Sequence, residues 1–467
     1  MTPTERNNRN QLAAVILITV TARILAYLAT GYQVDDALIT FRYAENVAAG
    51  NGFVYNLGES VLGTSSPLFT LILAAFARMG ISPPVASIIF SIFCASSAAF
   101  VLVRFAQSVG LSRFVLLPAL FYAVYPRCII SDICGLETAL FTFLFALSLY
   151  QLHRRDHLAS SIVASFACLA RPEGAGLLLV VLFICVIDRA PQLWRVLIAP
   201  AILVGGWMIF SAQYFGSVIP NSMIAKSALY ENTVPFFTRL GQMTTLGAWP
   251  GSIAIAMLIL LTVLFALRRN RLVITAITTL GLITGLALFS SRVFFWYAAP
   301  ALPPLFLVFT KSLELAIGKR LTTKTVHILS SIIVLALGAI SFNHVARLIG
   351  EMTWYTENHI AAAAFLNIHA SDNDTVLAED IGHFGYNYRG RIIDRDGLVS
   401  PQAIDYNRRR AYLQFADSVN ANWLFVAAAT GPGWLQIINS PDFLKRYELI
   451  PFNPAAHSQT HHLYRRL

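Results

Sequence analysis

Read from its amino terminus, the chain alternates long apolar runs with short polar punctuation. Runs over residues 12–30, 85–108, 114–129, 137–152, 158–171, 174–188, 194–213, 247–267, 272–290, 294–310 and 325–345 each predict a membrane-crossing helix, about eleven in all. A crossing needs roughly 20 mostly apolar residues, and a barrel would instead show short alternating strands. Residues 66–79 are apolar too, but at roughly 14 residues they are short for a crossing. They predict a juxtamembrane or re-entrant helix.

From about Val345 the pattern becomes that of a soluble domain. "TENHIAAAAFLNIHA" and "SPQAIDYNRRRAYLQFADSV" carry helical periodicity, whereas "TVLAED", "RIIDRDGL", "WLFVAA" and "YELIPF" are β-rich runs bounded by turn residues. The expected architecture is an α-helical polytopic membrane module over 1–345, whose first extracytoplasmic loop is 31–84, and a small α/β domain over 346–467.

Composition supports the membrane reading: 56% of the 467 residues are hydrophobic, 12% are charged, and the mean hydropathy is +0.62. The net charge of +10 is no sign of nucleic acid, because Lys and Arg sit in clusters between apolar runs. The first run follows "TERNNRN" without a small-x-small cleavage signal, and predicts an uncleaved anchor with a cytoplasmic amino terminus. The five cysteines show no zinc spacing and read mainly as packing residues; for Cys128 and Cys134, which flank a loop, a disulfide stays open.

The positive-inside rule then assigns sides. "HRRD", "DRAPQLWR", "RRNR" and "KSLELAIGKRLTTK" all fall in the cytoplasm if 66–79 does not cross. That choice gathers the polar features on the opposite face: the 31–84 loop, the "SDICGLET" and "RPEG" turns, the 214–243 loop, "SSRVFFWY" and the C-terminal domain. The expected location is a bacterial inner membrane, with the C-terminal domain extracytoplasmic.

Two adjacent carboxylates, Asp35 and Asp36, open a helix with Leu38, Phe41, Ala44 and Ala48 on one face, which predicts a helix lying along the membrane surface. Capping is the plain role for Asp35; general-base chemistry is the sharper one, with Asp35 favoured because it shares a helix face with Arg42. Glu137 and Glu173 lie at membrane ends, where carboxylates are costly and are either functional or paired, Arg171 being the obvious partner of Glu173. Arg42, Arg171, Lys226 and Arg292 are cations suited to a phosphate. Trp296 and Tyr297 read as an interfacial belt or a sugar-stacking wall. Arg23, inside the first run, reads as a structural ion-pair partner, and His457, His461 and His462 as solvated terminal histidines. No metal-ligand cluster stands out, although a divalent cation stays open.

The stretch "DDALITFRYAENVAAGNGFVYNLGESVLGTSSPLFTLILA", with "GLET", "RPEG", "YFGSVIPNSMIAK" and "EDIGHFGYNYRGRIIDRDGL" after it in order, resembles the GT-C fold glycosyltransferases, most closely the mycobacterial terminal β-arabinofuranosyltransferase group and its bacterial relatives. The resemblance implies a polyprenyl-phosphate sugar donor, arabinofuranose among the sugars to test, and a glycan, lipid or protein acceptor in the cell envelope. It also implies an inverting mechanism with Asp35 or Asp36 as base, Glu137 as a second acid, and Lys226 and Arg292 at the donor phosphate. Tyr43, Glu173, Asn221, Trp296, Tyr297 and His383 are the expected cavity residues. The rival readings are a transporter or flippase of lipid-linked sugars, which should show repeated halves and mid-membrane charges, and a non-catalytic scaffold, in which the acids would be dispensable.

Overall fold

The structure, a computed structural model, describes residues 3–230, 235–239, 271–290, 292–317, 356–427, 432–452 and 461–467, with scattered positions between 322 and 340. The runs expected at 247–267 and 325–345, and His457, lie wholly or largely outside the described residues. The chain divides into two units, one of residues 1–32, 87–207 and 234–347, the other of 33–86, 208–233 and 348–467.

The first unit is helical. Helix α1 (Pro3–Thr30) and α4 (Pro83–Ser108, which enters from the other unit) are long and apolar enough to cross a membrane, as are residues Leu193–Phe215 and Leu272–Phe289. The expected crossings at 114–129 and 137–152 take a different form. Helix α5 (Leu117–Val124) stops at Tyr125, α6 (Pro126–Ile133) restarts, and α7 (Thr138–His153) leaves α6 at 118°. Pro126 is the cause, since it cannot donate to the carbonyl of Tyr122 and starts a new helix as its first residue.

The freed carbonyls of this break are met by Arg23 of α1. Its guanidinium donates to Tyr122 O at 3.0 Å and Ala123 O at 2.6 Å, and pairs with Asp132 Oδ2 at 2.8 Å, which also accepts from the Tyr122 hydroxyl at 2.8 Å. Arg23 is therefore the structural ion-pair partner that the sequence suggests. Helices α8 (His157–Ala170) and α9 (Gly174–Ile187) pack so closely that a Cβ at Gly174 would overlap the main chain of Ala167. All five cysteines are free thiols, and Cys128 and Cys134 are buried; the latter donates to Ser131 O, so the disulfide left open by the sequence is not formed.

The second unit joins the first loop to the C-terminal residues. Helix α2 (Asp35–Ala49) has two acids in its first turn and ends on Gly50 at φ 82°, the left-handed cap that glycine adopts without strain. Helix α3 (Pro67–Arg78) has only 12 residues, too few to cross as a helix. The apolar face of α2, which its periodicity suggests for a membrane surface, is covered by protein: Ala37 to Phe41, Tyr43 and Ala44 are all buried, against α3 and a C-terminal helix of the same unit.

The C-terminal sheet has strand order β2-β1-β3-β5-β4, with β1 Thr375–Ala378, β2 Arg391–Asp394, β3 Trp423–Val426, β4 Tyr447–Ile450 and β5 His462–Arg466. Strands β1, β2 and β3 are parallel, whereas β5 runs antiparallel to both β3 and β4. The central β3 is buried at all four positions, as expected of a strand covered on both faces. Strand β5 takes up His462 and directly follows His461, two residues that the sequence suggested were solvated. His461 is buried with its ring against His359 and Phe425, and burial pushes its pKa down to about 4.

Candidate active site

The carboxyl ends of parallel strands are where α/β sheets present their binding groups, and both relevant ends here face the first loop. Strand β1 leads through Glu379 and Asp380 into a short helix, Ile381–Asn387. Strand β2 leads into the loop 394–400.

Asp35 belongs to the first of these. Its two oxygens accept from the backbone amides of Gly382 at 2.8 Å and His383 at 2.7 Å. It thus caps the amino end of a helix almost 350 residues away in sequence. Gly382 is required there, because a Cβ would overlap the main chain of Asp35. Burial pushes the Asp35 carboxyl up to about 6, against the lowering effect of the two amides, and the charges of Asp36 and Asp396 raise it further.

Asp36 is placed differently. Its Oδ2 accepts from Lys226 Nζ at 2.7 Å, with the two side chains 29% and 24% exposed. This is a carboxylate and an ammonium that solvent and ligand can reach. Lys226 lies on α12 (Asn221–Leu229), a helix inside the stretch that sequence reading left as a loop.

Several expected site residues hold the scaffold instead. Arg42, expected at a phosphate, donates to the carbonyls of Tyr55 at 2.9 Å, Tyr388 at 3.0 Å, Gly390 at 3.0 Å and Gly385, and lies over the Tyr55 ring at 4.4 Å. Four of its five N–H groups are therefore committed. Tyr43, expected in the cavity, is fully buried; its hydroxyl donates to Val61 O at 2.5 Å and accepts from Gly63 N at 2.9 Å. Asn221, also expected in the cavity, donates to Gly397 O at 2.6 Å and Leu398 O at 3.0 Å. His383 is buried, and its Nε2 donates to Gln33 O at 3.1 Å, leaving a neutral ring whose pKa burial lowers.

The remaining expected residues belong to the other unit. Arg171 pairs with Glu173 at 2.8 Å and with Glu137 at 3.6 Å, and lies over the rings of Tyr297 and Phe141. The Arg171–Glu173 pair foreseen from the sequence is thus present, with Glu137 as a third member. Arg292 is exposed and lies 5.3 Å from the Phe294 ring centroid. Trp296 is buried and stacked on Phe294 at 4.7 Å, so its ring offers neither an interfacial belt nor an open sugar-stacking face. Among the described residues no three His, Cys, Asp or Glu side chains converge as metal ligands.

Sequence reading missed the residues that shape the site from the C-terminal side. Asp394 accepts from the amides of Asp396 at 2.9 Å and Val399 at 3.1 Å and so folds the loop over itself, while Tyr55 and Asn56 hold Ile381 O and Ile392 O. The only local signal was the glycine spacing in "EDIGHFGYNYRG", where Gly382 and Gly385 each admit a first-loop residue too close for a side chain.

Known proteins bear on this geometry at three levels. Residues 347–464 match a domain of unknown function, DUF8728. Over 222 residues, 42% of the chain, the sequence is 28% identical to the terminal β-(1→2)-arabinofuranosyltransferase of Mycobacterium tuberculosis, and this match spans 35% of that relative's length. The crystal structure of ArnT from Cupriavidus metallidurans bound to undecaprenyl phosphate superposes with a TM-score of 0.66 at 12% identity, covering 97% of this chain and 98% of that one. The apo state of ArnT gives 0.64, with 97% of each chain covered. The chain therefore has the GT-C fold of a membrane protein and resembles the glycosyltransferases built on it.

Proposed function

We propose that this chain is a membrane glycosyltransferase that moves a sugar from a polyprenyl-phosphate donor to a cell-envelope acceptor at the extracytoplasmic face, with Asp36 as general base. The ion pair of Asp36 with Lys226, part-open beside an Asp35 whose two oxygens are each taken by a backbone amide, is the observation that carries this reading. The resemblance to the mycobacterial enzyme makes arabinofuranose the first sugar to test. About eleven crossings with the C-terminal domain outside belong to the same reading.

The chemistry follows from the two groups. A lipid phosphate leaves already ionised, so its departure needs a cation rather than an acid, and Lys226 supplies one. The acceptor hydroxyl attacks the anomeric carbon as the bond from that carbon to the phosphate oxygen breaks. The bonding pair leaves on the phosphate, and the hydroxyl proton passes to Asp36. In-line attack inverts the anomeric centre. Within the other unit, Arg171 holds Glu137.

The test is transfer from a panel of polyprenyl-phosphate sugars to membrane acceptors. Asp36→Asn should lower kcat by about 10³-fold or more with the donor still bound, a loss on the scale of general-base removal. Full activity in Asp36→Asn would overturn the assignment. Active Asp36→Asn beside inactive Asp35→Asn, with that variant still folded, would return the role to Asp35.

A further inference from the structure

Lys226 can meet Asp36 only if α12 is held at one rotation and height, and the structure shows what holds it. The backbone amide of Asn221 donates to Leu62 O at 2.7 Å, and its side-chain amide donates to Gly397 O and Leu398 O. Both acceptors on the C-terminal side sit in the loop that Asp394 folds, where Gly397 takes φ +91°. Asn221 is the first residue of the helix, so three hydrogen bonds fix the start of an element whose sixth residue is Lys226. Loop 394–400 is fixed in turn, since Asn407 donates to Arg395 O at 3.0 Å and Asp396 O at 3.1 Å.

We propose that Asn221 is a positioning residue for the active site: by tying the start of α12 to the loop 394–400 it sets Lys226 against Asp36. The inference rests on the reading of Asp36 as base, and places the C-terminal residues in the catalytic apparatus as the support of its cation. Two acceptors from one loop are matched by the two N–H groups of one primary amide. Aspartate at 221 would set a carboxylate against two carbonyl oxygens, and alanine would leave both carbonyls to water.

The facing charges are Lys226, Asp36, Asp35 and Asp396 within this unit. An ammonium held beside Asp36 is in place to meet the departing phosphate, so loosening the pair should lower kcat more than it changes KM for the donor. In Asn221→Ala kcat should fall by about 10-fold with KM for the donor nearly unchanged. Lys226→Gln should lower kcat too, and the double variant should add little beyond Lys226→Gln, the coupling expected of residues acting through one contact.

A second arm needs no turnover. Lys226 in the intact protein should react slowly with an amine-directed ester, followed by peptide mass spectrometry. Asn221→Ala and Asp36→Asn should each speed that reaction several-fold. Unchanged labelling and an unchanged kcat in a folded Asn221→Ala protein would overturn the proposal. If Asn221→Ala does not fold, Asn221→Ser serves, judged by the same two readouts. Should Asp36→Asn retain full transfer while Asn221→Ala still exposes Lys226, the base assignment fails and the positioning of Lys226 stands.

Discussion

At the scale of single residues, adjacent carboxylates have been given different tasks by their surroundings. Asp35 is closed in by two amides and low dielectric, while Asp36 is left at an opening with a cation. Asp35→Asn keeps one acceptor and sets an NH₂ against the other amide. It should cost about 1–3 kcal/mol of stability, read as a lower unfolding midpoint in detergent. Asp394 extends the point to pH. Burial pushes it up to about 7 from an ordinary 3.8, with the charge of Asp396 adding to the rise. Its folded pKa is above its unfolded one, so the stability it contributes is fully present below 3.8 and is lost as pH rises through about 7. Between about pH 4 and 7 the wild-type protein should therefore lose thermal stability, and Asp394→Asn should flatten that slope. An equally steep slope in the variant would contradict the assignment to Asp394.

Elements in both units show breaks whose exposed backbone groups are met by distant side chains. The α5–α6 break caused by Pro126 is met by Arg23, and the amino end of helix Ile381–Asn387 is met by Asp35. Because Arg23 and Asp132 are both fully buried, removing one partner strands the other. Arg23→Met should destabilise the membrane unit by about 3–5 kcal/mol, and a Met and Leu pair at 23 and 132 should recover part of that loss in a thermal scan. Gly382→Ala forces a Cβ into the Asp35 main chain, and should separate the helix from α2 and abolish transfer even though Asp36 is untouched. Normal transfer by Gly382→Ala would mean that this close approach does not matter to the site.

For the whole molecule, chain order and spatial grouping disagree. The unit that carries Asp36 draws on residues 33–86, 208–233 and 348–467 together. Removing residues from 348 onward takes away three of the four carbonyl acceptors of Arg42 and the amides held by Asp35. Such a truncated chain should be cut by protease within 33–86 under conditions where the intact chain is stable. Survival of that loop would show that it folds without the C-terminal residues.

The sequence by itself determined the membrane character, the helical module, the short apolar helix expected over 66–79, four of the five described strands, and the acids and cations worth testing. These follow from local composition and periodicity, which lipid and sheet impose residue by residue. The resemblance of the first loop to GT-C enzymes was legible for the same reason, being a contiguous run of residue types. What only the tertiary structure decided is which of these groups is left open for chemistry. Arg42, Tyr43 and Asn221 look like site residues in sequence, and are taken up by carbonyls 13 to 348 residues away. Asp36 and Lys226 meet across 190 residues. A side chain's role depends on which hydrogen-bond partners reach it after folding, and no local pattern records partners that arrive from the far end of the chain.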